Sequence, residues 1–205
     1  MFRTIGLDSM QGPVAGNYIA SQSPERVAIV HDKQQYGEGI ATAVRDTLQD
    51  AGIEIAMFEG ITAGDKDFSS LVTKIKQADV DYVYYGGYHP ELGLILRQAR
   101  QSDVDAKFMG PEGVGNKDIN TIAGEAAEGL LVTLPPSFDQ KEENQELIAA
   151  FDAKGEDPSG PFVLTSYAAV QLIAEGIEAA DSKDPFDVAQ ALRAGSFETP
   201  IGTVK

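Results

Sequence analysis

The stretch Val80-Asp-Tyr-Val-Tyr-Tyr-Gly-Gly-Tyr-His-Pro-Glu91 decides how the chain is read. Its first half, through Tyr85, is the β-branched and aromatic run expected of a buried strand. Two glycines follow, and Pro90 then suits the first turn of a helix. Strand, permissive turn and helix start together make the joint of a βαβ unit. The open point is why aromatics flank a double glycine at a strand's carboxyl end, where such sheets meet their ligands.

Outward from that joint the same alternation repeats. Arg26-Val-Ala-Ile-Val-His31 is an apolar run, and Ile40, Ala43, Val44 and Leu48 then recur with helical period up to Gly52. Ile53–Phe58 reads as the next strand, followed by the loop Gly60–Lys66. Asp67 can cap a helix with the stripe Phe68, Leu71, Val72 and Ile75. Downstream, Leu92, Ile95, Leu96 and Ala99 form a helix, 106–110 a strand, 118–122 a short helix and 128–134 a fifth strand. Alternating strands and helices predict an α/β fold with a doubly wound parallel sheet. Its strand ends carry His31–Tyr36, Gly60–Lys66, Gly86–Pro90 and Gly110–Asn116. Past Pro135-Pro136 the pattern changes to helices at 144–154, over about 18 residues through Tyr167, Val170 and Ile173, and at 185–194. Only 199–204 resembles a strand there. Residues 5–134 therefore read as a parallel α/β lobe, and 135–205 as a helical segment lacking a sheet to cover. Its apolar stripes should be exposed and favour self-association through 144–178.

A formal net charge of -16 makes nucleic acid and anionic membranes poor partners. No window approaches 18 apolar residues, and cysteine is absent. The start Met1-Phe-Arg-Thr has no apolar signal segment, so the chain as written is expected to stay in the cytoplasm. His31 and His89 read as surface loop histidines without metal-ligand spacing. Neither a dinucleotide fingerprint nor a phosphate loop is present, and Ser69, Ser70 and Ser159 lack a nucleophile's context. No catalytic residue, metal or cofactor is assigned, and an α/β enzyme is a poor reading. The strand-end rim instead holds Tyr36, Tyr88 after the double glycine, and Glu112 in a rigid Gly-Pro-Glu-Gly loop. A carboxylate between aromatic rings suits an ammonium group on a small, partly apolar molecule.

The sequence resembles the bacterial periplasmic binding proteins for leucine, isoleucine and valine, the substrate-capturing components of branched-chain amino acid ABC transporters. The blocks that carry the resemblance are Arg3-Thr4, Gly6-Leu-Asp-Ser9 and Gln11-Gly-Pro13, followed by His31-Asp-Lys-Gln-Gln-Tyr-Gly-Glu-Gly39. Gly60-Ile-Thr-Ala-Gly64, Tyr84-Tyr-Gly-Gly-Tyr88, Phe108-Met-Gly-Pro-Glu-Gly-Val-Gly-Asn116 and Asp157-Pro-Ser-Gly-Pro161 extend it along nearly the whole chain. The resemblance implies two lobes that close on an amino acid, a membrane permease as partner, and action in the periplasm. It places ligand-binding roles on Tyr36, Tyr88 and Glu112, the last for the α-ammonium group, and on Phe162, where the family has a tyrosine. It also implies that 5–134 is the second lobe, that 135–205 returns into an incomplete first lobe, and that this partial chain binds weakly. A ligand-sensing regulatory domain of the same fold is the alternative.

Overall fold

Five apolar runs pair in parallel to form the central sheet. They are β1 (Arg26–His31), β2 (Glu54–Gly60), β3 (Tyr82–Gly86), β4 (Lys107–Gly110) and β5 (Leu131–Val132), ordered β2-β1-β3-β4-β5. The structure is a computed structural model describing residues 2–205. On one face lie α1 (Asp8–Ser21) and α2 (Gln35–Asp50), whose Ala15, Ile19, Val44 and Leu48 pack with Ile29, Tyr84 and Met109. The other is covered by α3 (Ser69–Ala78), α4 (His89–Gln101) and α5 (Asp118–Ala123), with Leu71, Ile75, Leu92 and Ile95 against Ala28, Val83 and Phe108. Cover on both faces is why these strands are apolar throughout rather than alternating. The chain runs outward from β1 to β2, then crosses back to β3 on the other side. The reversal opens a crevice between the carboxyl ends of β1 and β3, the usual ligand position in such sheets.

Helix α1 is absent from the sequence reading, and its composition explains why. Gly12, Pro13 and Gly16 lie inside it, all poor helix formers. Apolar side chains occupy both of its faces: Ala15 and Ile19 are buried, whereas Met10 and Val14 are 64% and 60% exposed. No amphipathic stripe remains to be recognised. The glycines have a packing purpose instead. A Cβ on Gly12 would lie 2.5 Å from Ala43 Cβ, and one on Gly16 would lie 2.7 Å from Thr47 Cβ. Their absence lets the backbones of α1 and α2 approach closely.

Smaller corrections have local causes. The fifth strand is two residues long rather than 128–134, because Gly124 and Gly129 take positive φ and keep the backbone turning before it. The last strand is a hairpin of β6 (Phe197–Thr199) and β7 (Gly202–Val204), turning at Pro200 and Ile201 with Gly202 at φ +110°. Asp67 precedes α3 by two residues and accepts a hydrogen bond from Ser69 N at 3.0 Å, without serving as the N-cap. His31 is not a surface histidine. It is buried at the end of β1, its ring 5.1 Å from that of Phe58, and its Nδ1 accepts from Lys33 N.

Residues 7–134 form one compact unit; the N-terminal residues up to Gly6 and 135–205 form the other. The second unit contains α6 (Gln145–Asp152), α7 (Val163–Ala180) and α8 (Pro185–Ala194) with the hairpin. Asp184 caps α8 by accepting from Phe186 N and Asp187 N, and Pro185 sits in its first turn. Gly176 lets α8 approach α7, since a Cβ there would lie 2.9 Å from Leu192 Cγ. The apolar core of this unit is thin. Its buried aliphatic side chains are Leu164, Ala168 and Leu172 on α7. On the opposite side of α7, Val170 is 69% and Ile173 55% exposed. Leu147 and Phe151 are half-buried, and Phe151 meets Tyr167 edge-on at 6.2 Å.

The α1–α2 contact can be tested with two glycines whose surroundings differ. Alanine at a helical glycine gains up to about 1 kcal/mol from propensity. Gly39→Ala, in α2 with open space around its missing Cβ, should gain roughly that amount. Gly12→Ala should lose stability by roughly 1–2 kcal/mol net, because overpacking outweighs propensity. Urea unfolding of both variants checks the pair; equal effects would show that the helix crossing is not tight.

Candidate functional site

Three loops converge on the crevice between β1 and β3. The first carries Tyr36 in the opening turn of α2, the second Gly87 and Tyr88 before α4, the third Pro111–Gly113 after β4. Their meeting depends on missing side chains. A Cβ on Gly86 would collide with Gly37 O, and one on Gly37 with Gly86 O and the Asp32 carboxylate. The carboxyl end of β3 therefore runs directly against the first turn of α2. Gly87 has φ +156°, a backbone region essentially reserved for glycine, and a Cβ there would lie 2.5 Å from Tyr85 Oη. At Gly113 a Cβ would sit 2.8 Å from Gly87 O, 3.1 Å from the Tyr36 ring and 3.2 Å from the Tyr88 ring. These contacts account for the double glycine of the opening stretch.

The arrangement brings Tyr36, Tyr88 and Glu112 together. The rings of Tyr36 and Tyr88 are 5.3 Å apart, tilted by 37°, and Tyr88 remains 49% exposed. Tyr36 Oη accepts from Gly113 N at 3.3 Å and hydrogen-bonds the Glu112 carboxylate. Glu112 Oε2 is buried and has no partner. Burial raises the Glu112 carboxyl above the ordinary carboxylate range, and the charge of Asp8 adds to the rise. Its own backbone N–H and the Tyr36 hydroxyl act in the opposite direction. The Tyr36 hydroxyl is pushed up by burial first and then by the charge of Glu112. A part-buried carboxylate with one free oxygen, beside an exposed aromatic ring, can accept an ammonium group and shelter a short apolar chain.

Phe162 belongs to the other unit, immediately before α7, with its ring 41% exposed. Asp8 was not singled out in the sequence, because its proximity to Glu112 depends on where α1 begins. In the sequence, Tyr84 reads only as part of a strand. Its hydroxyl is buried without a partner and is raised chiefly by burial, with the charge of Glu112 adding to the rise. Among the described residues, no group of three His, Cys, Asp or Glu side chains could hold a metal ion, and no helix is long and apolar enough to cross a membrane.

A five-stranded, doubly wound parallel sheet with its candidate site at the strand switch defines an α/β lobe of the class that holds ligands at its strand ends. The chain belongs to the Periplasmic binding protein family, which matches residues 1–205. It is 61% identical over its full length to the leucine-, isoleucine-, valine-, threonine- and alanine-binding protein of Pseudomonas aeruginosa, spanning 55% of that protein. Identity to the Leu/Ile/Val-binding protein of Escherichia coli K12 is 53%, over 98% of this chain and 55% of that one. Among solved structures, a leucine binding protein from Thermotoga maritima aligns with TM-score 0.86 and 25% identity, over 96% of this chain and 57% of that one. The substrate-binding protein of the branched-chain amino acid transporter of Streptococcus pneumoniae, in complex with isoleucine, aligns with TM-score 0.82 and 26% identity, over 95% of this chain and 56% of that one. The chain thus spans about half the length of the curated relatives it matches.

The raised Glu112 carboxyl has a consequence for stability. The folded state binds the Glu112 proton more tightly than the unfolded chain does, so ionising it costs stability as pH rises past the ordinary carboxylate value. Glu112→Gln should melt higher than the parent at pH 7. That gain should shrink as pH falls through the raised value and vanish below the ordinary one. Thermal unfolding across that range is the check; a lower melting temperature at pH 7 would contradict the assignment.

Proposed function

We propose that this chain supplies the ammonium-binding half of a branched-chain amino acid trap, the solute-binding component of an ABC transporter acting in the periplasm. Residues 5–134 are the second lobe and 135–205 the return into the first. The observation that carries the reading is the free, buried Glu112 oxygen beside the Tyr36–Tyr88 ring pair. Names of relatives that bind leucine, isoleucine and valine support it. Glu112 takes the α-ammonium group, Tyr36 holds Glu112, and Tyr88 lies against the aliphatic side chain. Phe162 is included as a ligand residue on the resemblance alone. No reaction follows; closure around the ligand and delivery to a permease are the activity.

Magnitudes indicate how this chain should behave by itself. Burying an aliphatic side chain contributes about 1.5–3 kcal/mol. A charge-assisted hydrogen bond adds roughly 1.5–3 kcal/mol before the ligand's lost freedom is subtracted. The sum barely reaches millimolar affinity, about -4.1 kcal/mol. It also leaves the α-carboxylate without a partner. Calorimetry with the 205-residue chain should therefore be flat at micromolar leucine. A chimera that completes the protein with the remaining residues of the Pseudomonas relative should titrate. Glu112→Ala in that chimera should weaken binding by at least roughly 30-fold, the cost of leaving a buried charge unpaired. Affinity should also fall as pH drops through the raised Glu112 value, because the ligand's ammonium then meets a neutral acid. Micromolar binding by the chain alone, or an unaffected Glu112→Ala chimera, would overturn the reading.

We also propose that copies of the chain associate through 144–178, where Tyr167, Val170 and Ile173 leave one side of α7 apolar and exposed. Sedimentation at several concentrations should show mass rising with concentration, and Val170→Glu with Ile173→Lys should abolish the rise. A concentration-independent monomer would remove the proposal.

A further inference from the structure

Beneath the crevice on the α1–α2 side of the sheet, four buried side-chain atoms have no partner: Tyr84 Oη, Glu112 Oε2, Gln11 Oε1 and Thr133 Oγ1. The fold brings them to one end of the sheet. Tyr84 pairs in register with Met109, next to the loop that carries Glu112, and both pack on the face covered by α1 and α2. Thr133 N donates to Gly110 O, two residues before Glu112. Gln11 lies one turn after Asp8 in α1, and its Nε2 donates to Thr133 O at 3.3 Å. Asp8 in turn acts electrostatically on Glu112.

The four atoms match in number as donors and acceptors, yet none of them bonds another directly. Glu112 Oε2, when ionised, and Gln11 Oε1 only accept, whereas Tyr84 and Thr133 each offer a single hydroxyl proton. Buried polar groups in native proteins are almost always satisfied, and internal water typically makes about three hydrogen bonds to such orphans. Water carries two donors and can close this set. We propose that Tyr84 is a positioning residue for Glu112: its hydroxyl and the free Glu112 oxygen share bound water below the crevice. Tyr84 has 0% exposure, so it does not touch a ligand. It acts by orienting the carboxylate and favouring its ionised form. The other groups facing Glu112 are Tyr36 from α2 and Asp8 from α1, and neither supplies a donor to Oε2. The functional consequence rests on the proposed ammonium role of Glu112, but the test does not, because it is read without ligand.

The experiment follows the side-chain carboxyl carbon of Glu112 by 13C NMR through a pH titration of the 205-residue chain, with Glu112→Gln for assignment. Tyr84→Phe keeps the ring and removes only the hydroxyl. The Glu112 midpoint should rise by about one to two pH units, the worth of one hydrogen bond to the charged form. A packing role alone would leave the midpoint in place, and an unchanged or lowered midpoint overturns the proposal. Should Tyr84→Phe fail to fold, a high-resolution crystal structure of the parent chain decides. Water within hydrogen-bonding distance of both Tyr84 Oη and Glu112 Oε2 supports the proposal, and its absence there overturns it. Loss of leucine binding by the completed chimera, with the midpoint shift intact, would count against the amino-acid reading alone.

Discussion

The candidate site depends on one backbone contact, the passage of Gly86 against Gly37. A side chain at either position would push the carboxyl end of β3 away from the first turn of α2. That joint sits where the sheet reverses its strand order, so displacement would also separate the loops that follow β1 and β3. Tyr36 and Tyr88 stand on those two loops, with rings 5.3 Å apart. Gly113 brings the third loop into the same contact and places its N–H on the Tyr36 hydroxyl. The aromatic rim is thus produced by glycines, and the tyrosines occupy the space that the glycines organise.

The same joint holds a carboxylate under unfavourable conditions. Glu112 is partly desolvated and shares its surroundings with Asp8, and both effects resist its ionisation. A fold selected for stability alone would place an amide or an apolar group there. Under the proposed ammonium role burial has a compensating use, because a charge that is poorly solvated gains more from an arriving cation than one in open water. The bond from Tyr36 favours the ionised form within that environment. On that proposal, the cost of the buried carboxylate and its attraction for a cation have one physical origin.

Legibility in the sequence varied with the kind of signal each element carries. β1, β3 and β4 announce themselves by apolar composition, and topology then points to their carboxyl ends. Tyr36, Tyr88 and Glu112 can be selected on that basis, and the structure does bring them together, although their ligand roles remain proposals. Phe162 rests on the resemblance and lies in the other unit. Helix α1 was illegible because Gly12 and Gly16 serve a helix crossing, a purpose visible only once α2 is beside them. Asp8 was lost with it. Tyr84 is hidden differently, since a tyrosine within an apolar strand reads as core; its unpartnered hydroxyl on the α1–α2 side of the sheet shows only in the structure.

The two units also differ in what holds them together. In residues 7–134, both sheet faces are closed by helices, and the large buried side chains form two continuous clusters. In the other unit, α7 buries Leu164, Ala168 and Leu172 and meets α8 at the notch of Gly176, while its opposite side stays apolar and open. A helix that is apolar nearly all round is built to be covered on two sides. With one side open, few buried contacts oppose local unfolding, so this unit should open before the sheet does. Cooperative stability in the chain therefore resides in the lobe that carries Glu112. The candidate site in that lobe therefore keeps its geometry without depending on whether α7 is covered.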